Sequence, residues 1–378
     1  MRTDDLDFVL PRALIATTPP AVRDGSRLLV VQRSDPSRLE HRVFADLPML
    51  LEPEDLLVMN RSSVVPARLQ GVNAQTGGAV TGLYLADDAG GSDGQLRWVV
   101  LLKAKRTRPG RRVMLHDADG SPTGIIIELI EKAEDSGPGA WVVGVEDQKN
   151  PDQALDTLGV LDRAGLTPLP PYILSERKAR DESYTEASDR DRYQTVFARR
   201  DEPGSVAAPT AGLHFTDRVF DALKSRSVRT SEVVLHVGAG TFKPVETETL
   251  DEHPMHAEWC SLGPSSELFK AGKPKDGRVF AVGSTSARTL ESYAQLDAAH
   301  PKNLSTRIMV MPGYRWRWVD GMVTNFHLPR STLLAMVASM LHVPGEVDGV
   351  DRVQQVYRVA IEERYRFYSY GDAMLILP

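Results

Sequence analysis

Four short stretches of the chain combine groups that can move protons or hold anions. In Ser205 to Asp217 (SVAAPTAGLHFTD) small residues allow close backbone approach to a ligand, and His214 stands just ahead of a helix that Thr216 can cap. An imidazole there suits a general base; a loop histidine satisfied by backbone fits the same residues equally well. The turn Gly283-Ser284-Thr285-Ser286, ahead of Arg288, brings hydroxyls, backbone N–H groups and a guanidinium together. That is the make-up of an anion-binding nest, and also of an ordinary capped helix start. Asn325-Phe326-His327-Leu328-Pro329-Arg330-Ser331-Thr332 gathers an amide, an imidazole and a capped helix start in one turn, which favours a functional loop. His253-Pro254-Met255-His256-Ala257-Glu258 is not spaced like a helical zinc motif, and Pro254 opposes a helix. No metal is expected there; Glu258 or His256 suits a general acid or base instead.

Other chemistries lose ground. Gly238-Ala239-Gly240 lacks a third glycine, Lys243 standing in its place, and no Walker A pattern occurs, so neither a dinucleotide fold nor a P-loop is supported. The single cysteine, Cys260, cannot build a disulfide framework or a cluster held by several thiolates. A net charge of −6 argues against indiscriminate coating of nucleic acid, while a local basic patch can still meet phosphates. Lys103, Lys105, Arg106, Arg108, Arg111 and Arg112 form such a patch; a solvated basic turn has the same composition. Tyr314-Arg315-Trp316-Arg317-Trp318 alternates like a half-buried strand, though stacking on unpaired bases would use the same residues. The acidic N-terminus shows no secretory pattern and the longest apolar stretch, Leu333 to Leu341, is too short to span a bilayer, so a soluble cytoplasmic protein without a membrane partner is expected.

Elements must position these groups. RLLVV and DLLVM, within residues 27–31 and 55–59, predict buried strands. From about residue 67 to 152 five β-like runs (AVTGLYL, LRWVVLL, RRVML, GIIIELI, AWVVGV) with no amphipathic helix between them predict a small antiparallel barrel. Pro168 to Ile173 is too proline-rich for a helix, and the mixed charge of Ser175 to Arg192 predicts a solvated helix or mobile loop. Past residue 205, SEVVLHV, RVFAV and MVTNFHLP each run into a polar turn and then toward apolar-periodic segments, the helix after RVFAV starting at Ala287. This rhythm predicts an α/β domain with a mostly parallel or mixed sheet, residues 1–66 plus 153–378, interrupted by the barrel at 67–152.

Read in order, the motifs DFVLPRALIA, VVPARL (Val64 to Leu69), PLPPYI, YQTVFA, SVAAPTAGLHFT, HVGAGTFKPV, HPMHAE, GSTSARTLES, VTNFHLPRSTLL and YRFYSYGDAMLI closely resemble the S-adenosylmethionine:tRNA ribosyltransferase-isomerase family of queuosine biosynthesis, nearly end to end. The resemblance implies that the ribosyl group of S-adenosylmethionine moves to 7-aminomethyl-7-deazaguanine at the tRNA wobble position, giving epoxyqueuosine with release of adenine and methionine. It implies tRNA and S-adenosylmethionine as partners, no cofactor beyond that co-substrate, and a monomer. Such chemistry asks for a base beside the sulfonium and an acid for departing adenine. His214 is the leading base candidate, with Glu258 and His327 as alternatives, and the Gly283 to Arg288 turn is the candidate clamp for the methionine carboxylate. Substrate contacts are carried over to Thr210, Gly212, Leu213, Phe215, Gly238, Gly240, Thr241, His256, Gly283, Ser284, Thr285, Arg288, Asn325, Ser331 and Asp372. The chain departs from the family pattern at Asn60-Arg61-Ser62-Ser63, Thr17, Thr81 and Ser284. A diverged member acting on a small molecule or another RNA, and a non-catalytic tRNA-binding module, are the rival readings.

Overall fold

Strands buried along their whole length set the centre of the molecule: Leu56–Asn60, Val279–Val282 and Gly321–Asn325 expose no residue on either face. The computed structural model describes every residue except 36, 91–93, 105–106, 239–244 and 297–300, and for residues 135 and 200–203 it describes the backbone alone. Among the described residues the main sheet has nine strands, in the order Leu304–Thr306, Glu258–Ser261, Arg229–Leu235, Leu56–Asn60, Val279–Val282, Gly321–Asn325, Ala373–Leu377, Arg27–Gln32 and Leu39–Val43. The run from Arg229–Leu235 to Gly321–Asn325 is parallel, and Ala373–Leu377 joins it antiparallel. The sheet is therefore mixed, as the sequence predicts.

Strand periodicity divides the core into two layers. Leu29, Val31, Leu56, Val58, Met322 and Met374 face one side, against the helices Gly283–Ala294, Thr332–Leu341 and Gly349–Glu362. Their neighbours Leu28, Val30, Leu57, Met59, Val323 and Leu375 face the other, against Phe44, Leu47 and the helix Asp217–Ser225. A sheet covered on both faces favours apolar residues on both sides of each strand, which is why its strands read as apolar runs up to their carboxyl ends. Thr216 does cap the helix that follows it, accepting from Val219 N at 3.3 Å.

The second sheet closes on itself. Arg68–Asn73, Ala79–Asp87, Arg97–Lys103, Ala140–Asp147, Pro122–Lys132 and Arg112–His116 follow one another antiparallel, and the last pairs back to the first through Gly71 and Leu115. Six strands thus form the barrel, one more than the five runs in the sequence. The additional strand, RLQGVN, turns Leu69, Gly71 and Asn73 inward, so only one of its buried positions is a large hydrophobe. Gly71 is required: a Cβ there would strike the Met114 carbonyl across the seam. Val160, Leu161 and Ala164 of the helix Thr157–Ala164 pack into the same core.

Four local expectations need correction. Pro171–Ala179 is a helix after all, with proline at its first turn, where no N–H is missed. A second helix, Glu186–Arg192, is capped by Thr185. The charges between them are not simply solvated: Arg177 grips Asp189 through two bonds of 2.7 and 2.8 Å, both residues buried. Tyr314 to Trp318 is a loop, not a strand; the buried Glu291 carboxylate accepts from the backbone N–H of Arg317, Trp318 and Val319 and from the Tyr314 hydroxyl. Lastly, the helix expected from Ala287 begins at Gly283, whose φ of +82° places it in the region that favours glycine.

Candidate active site

Ligands of open α/β sheets sit beyond the carboxyl ends of the strands, where the chain order reverses. Here Leu56–Asn60 is flanked by Arg229–Leu235 on one side and Val279–Val282 on the other, both later in the chain, so the reversal lies at its carboxyl end. Just past those ends Val237, Gly283 and Asn325 line one cleft, completed by Thr210, Tyr172, Tyr368 and Ser369. The helix Gly283–Ala294 opens onto it with no side-chain cap, leaving its first N–H groups for a ligand. Thr285 Oγ1 is buried there and lacks a hydrogen-bond partner among the described residues. The turn Gly283, Ser284, Thr285 thus lines the cleft.

His327 lines this cleft. Its Nε2 lies 2.8 Å from Thr324 Oγ1, and its backbone N–H donates to the Tyr357 hydroxyl at 2.9 Å. Burial lowers its pKa to about 4, so it is neutral at pH 7 and can accept a proton.

His214 sits behind the wall. It is buried and stacks on Phe44 at 5.0 Å. Ser26 Oγ donates to the Arg23 carbonyl, so it accepts from His214 Nδ1–H at 2.9 Å. That tautomer leaves Nε2 to accept from Asn325 Nδ2 at 3.3 Å, which turns Asn325 Oδ1 toward the Thr210 hydroxyl at 3.1 Å. His214 thereby holds the Asn325 amide from behind the wall. Its pKa falls to about 3, first through burial and then through the nearby cations Arg366 and Arg23. The unfolded chain takes up this proton below about pH 6.5 while the folded chain does not, so stability is flat above 6.5 and falls on acidification toward the folded value. Between pH 7 and 5 the loss in urea-denaturation free energy should be about 2 kcal/mol smaller in His214→Asn than in the parent. Equal losses would mean the folded protein protonates this ring.

A second hollow adjoins the first, sharing Leu333. Arg288 and Glu258 line it with His253 and His256. Arg288 Nη1 donates to Glu258 Oε2, and Glu258 Oε1 accepts from Gly238 N at 3.1 Å. Residues far apart in sequence therefore form one buried ion pair. Arg288 lines this second hollow, while the Gly283 to Thr285 turn at the start of the same helix lines the first.

The other predicted residues divide clearly. Ser331 lines the first cleft but spends its hydroxyl on the Leu328 carbonyl and the Leu334 N–H. Gly212, Leu213 and Phe215 are buried in the wall behind, Leu213 and Phe215 in hydrophobic clusters. Asp372 lines neither hollow: it accepts from the backbone N–H of Arg27 and Arg366 and so ties two strand ends together. Gly240, Thr241, Lys105 and Arg106 lie outside the described residues. On the barrel Lys103 and Arg108 are exposed and Arg111 is half-buried, whereas Arg112 pairs with Glu128 and Glu146 and belongs to the barrel wall. Tyr172, Thr324, Tyr368 and Ser369 were missed as site residues. Tyr368, in the YRFYSYGDAMLI motif, carries a φ of +74°, unusual for a bulky side chain.

A family model described as a queuosine biosynthesis protein matches residues 3–376. The S-adenosylmethionine:tRNA ribosyltransferase-isomerase of Rubrobacter xylanophilus is 44% identical over 379 residues, covering 100% of this chain and 98% of that protein. The protein of that name from Symbiobacterium thermophilum is 42% identical over 380 residues, covering 100% of each. A crystal structure of an S-adenosylmethionine tRNA ribosyltransferase from Thermotoga maritima matches at 29% identity, with 99% of this chain and 100% of that one covered and a TM-score of 0.49. No helix among the described residues is long and apolar enough to cross a membrane. With a family match over almost its entire length, the chain belongs to the queuosine biosynthesis protein family, that of the S-adenosylmethionine:tRNA ribosyltransferase-isomerases.

Proposed function

We propose that this protein transfers the ribosyl group of S-adenosylmethionine to 7-aminomethyl-7-deazaguanine at the tRNA wobble position and isomerises it to the epoxycyclopentane of epoxyqueuosine, releasing adenine and methionine. The observation that carries the reading is the first cleft, where a neutral imidazole and an uncapped helix N-terminus meet at the carboxyl ends of parallel strands. His327 is the base in this scheme: its Nε2 is held by Thr324, and its Nδ1 has no hydrogen-bond partner among the described residues. It takes the acidic proton beside the sulfonium, and Asn325, fixed by His214 and Thr210, orients the ribose or the acceptor base. Lys103 and Arg108 on the barrel are the phosphate contacts of the tRNA.

Incubation with S-adenosylmethionine and precursor tRNA tests this. Adenine should appear only with that tRNA, together with the mass of the epoxide nucleoside. Release without tRNA would point to a small-molecule acceptor, and tRNA binding without release to a non-catalytic module.

A further inference from the structure

The second hollow has chemistry the first lacks. Arg288 is 6% exposed; its Nη1 is engaged by Glu258 and its Nε reaches the Ile308 carbonyl at 3.3 Å. Nη2 is buried and has no partner among the described residues. A guanidinium donor left so in the interior is strongly unfavourable, and an anion satisfies it best, a planar carboxylate above all. The wall around it is apolar and adaptable: Met255, Met309 and Met336 stand beside Ile308, Val310 and Leu333. Unbranched thioethers suit a flexible aliphatic chain. The hollow also continues the first cleft, since Ser331 lines one, Thr332 the other and Leu333 both.

We infer that this hollow is the subsite for the amino-acid tail of the sulfonium substrate, with the tail's carboxylate on Arg288 Nη2 and its methylenes against the methionines. The assignment rests on reading the first cleft as the S-adenosylmethionine site, and it adds where the molecule's other end goes. Charge favours a zwitterion over a phosphate: Glu258 already balances Arg288, so a doubly charged anion would meet a carboxylate at the same position. A nucleic-acid backbone, carried on the surface, is a poorer match to a donor with so little exposure.

Calorimetry on the full chain, with three compounds, tests the subsite. S-adenosylmethionine should bind wild type about 10 to 100 times more tightly than its decarboxylated analogue, the range expected for a charge-assisted contact. In the double substitution Glu258→Gln/Arg288→Met, which removes both charges rather than stranding one, the two should bind alike. Binding of 5′-methylthioadenosine, which has no tail, should weaken less than about threefold, showing that the first cleft is intact. Arg288→Lys, which keeps the charge but loses the fork, should show intermediate discrimination. The inference is overturned if wild type does not discriminate, if the double variant still does, or if that variant weakens tRNA binding and leaves the sulfonium untouched. Normal binding of both sulfonium compounds without discrimination sinks the subsite alone; no binding of any of the three sinks the proposed function with it.

Discussion

Replacing His327 by glutamine or alanine should lower kcat/KM for adenine release by about 10²- to 10⁴-fold, the usual contribution of a positioned proton acceptor. The pH dependence makes the prediction specific. A base is active in its deprotonated form, and burial lowers the His327 pKa to about 4. The rate should therefore stay level from neutrality down to about pH 5 and fall only as pH approaches 4; an ordinary imidazole would already be half protonated near 6.5. Measuring kcat/KM between pH 5 and 8 separates the two cases. His327→Gln retaining a third or more of parent activity, with an unchanged circular dichroism spectrum, would remove His327 from the mechanism. His214→Asn offers the contrast. His214 reaches the cleft only through Asn325, so its loss should loosen the amide and raise KM more than it lowers kcat.

How far the sequence carries the structure depends on whether a residue's surroundings are local. The central strands were legible because burial on both faces favours an unbroken apolar run, which gives way to polar residues only at the carboxyl ends, at Asn60, Thr324 and Asn325. The Thr216 cap was legible because a cap is decided within one turn. Likewise Gly283, Ser284, Thr285, Asn325 and His327 stood out because polar turns after apolar runs mark strand ends, and strand ends are where α/β sites form. The Arg288–Glu258 pair spans thirty residues and two elements, and no spacing rule reports it. His214 shows the same limit from the other side. Its flanking motif suggested a catalytic loop, yet whether the ring faces the cleft or the core turns on Phe44 and Ser26, far away in the chain. The barrel strand Arg68–Asn73 escaped notice for a steric reason: closure needs a glycine at 71, and glycine erases the hydrophobic alternation. In Tyr314 to Trp318 the alternation was present but the backbone N–H groups go to one buried carboxylate, Glu291, so no strand partner is needed.

The segment from Pro171 to Arg192 gives the largest stability prediction, because a charged composition there hides a buried pair. Arg177 donates twice to Asp189 and once, through Nε, to the Thr17 carbonyl at 3.1 Å, and its guanidinium lies 3.7 Å above the Tyr184 ring. Asp189→Ala removes the counter-charge but leaves the cation enclosed, which should cost about 3–5 kcal/mol in urea denaturation. Arg177→Met combined with Asp189→Leu takes both charges away and should recover most of that loss, since an apolar pair of similar volume needs no hydration. The effect reaches the cleft. The same helix carries Tyr172, whose hydroxyl is 2.5 Å from Ser369 Oγ in the cleft wall, so Asp189→Ala should also raise the KM for S-adenosylmethionine and the double substitution should restore it. If Asp189→Ala instead costs less than about 1 kcal/mol, the pair behaves as an exposed one and the helix is held by its apolar contacts, Ile173 foremost, without help from the charges.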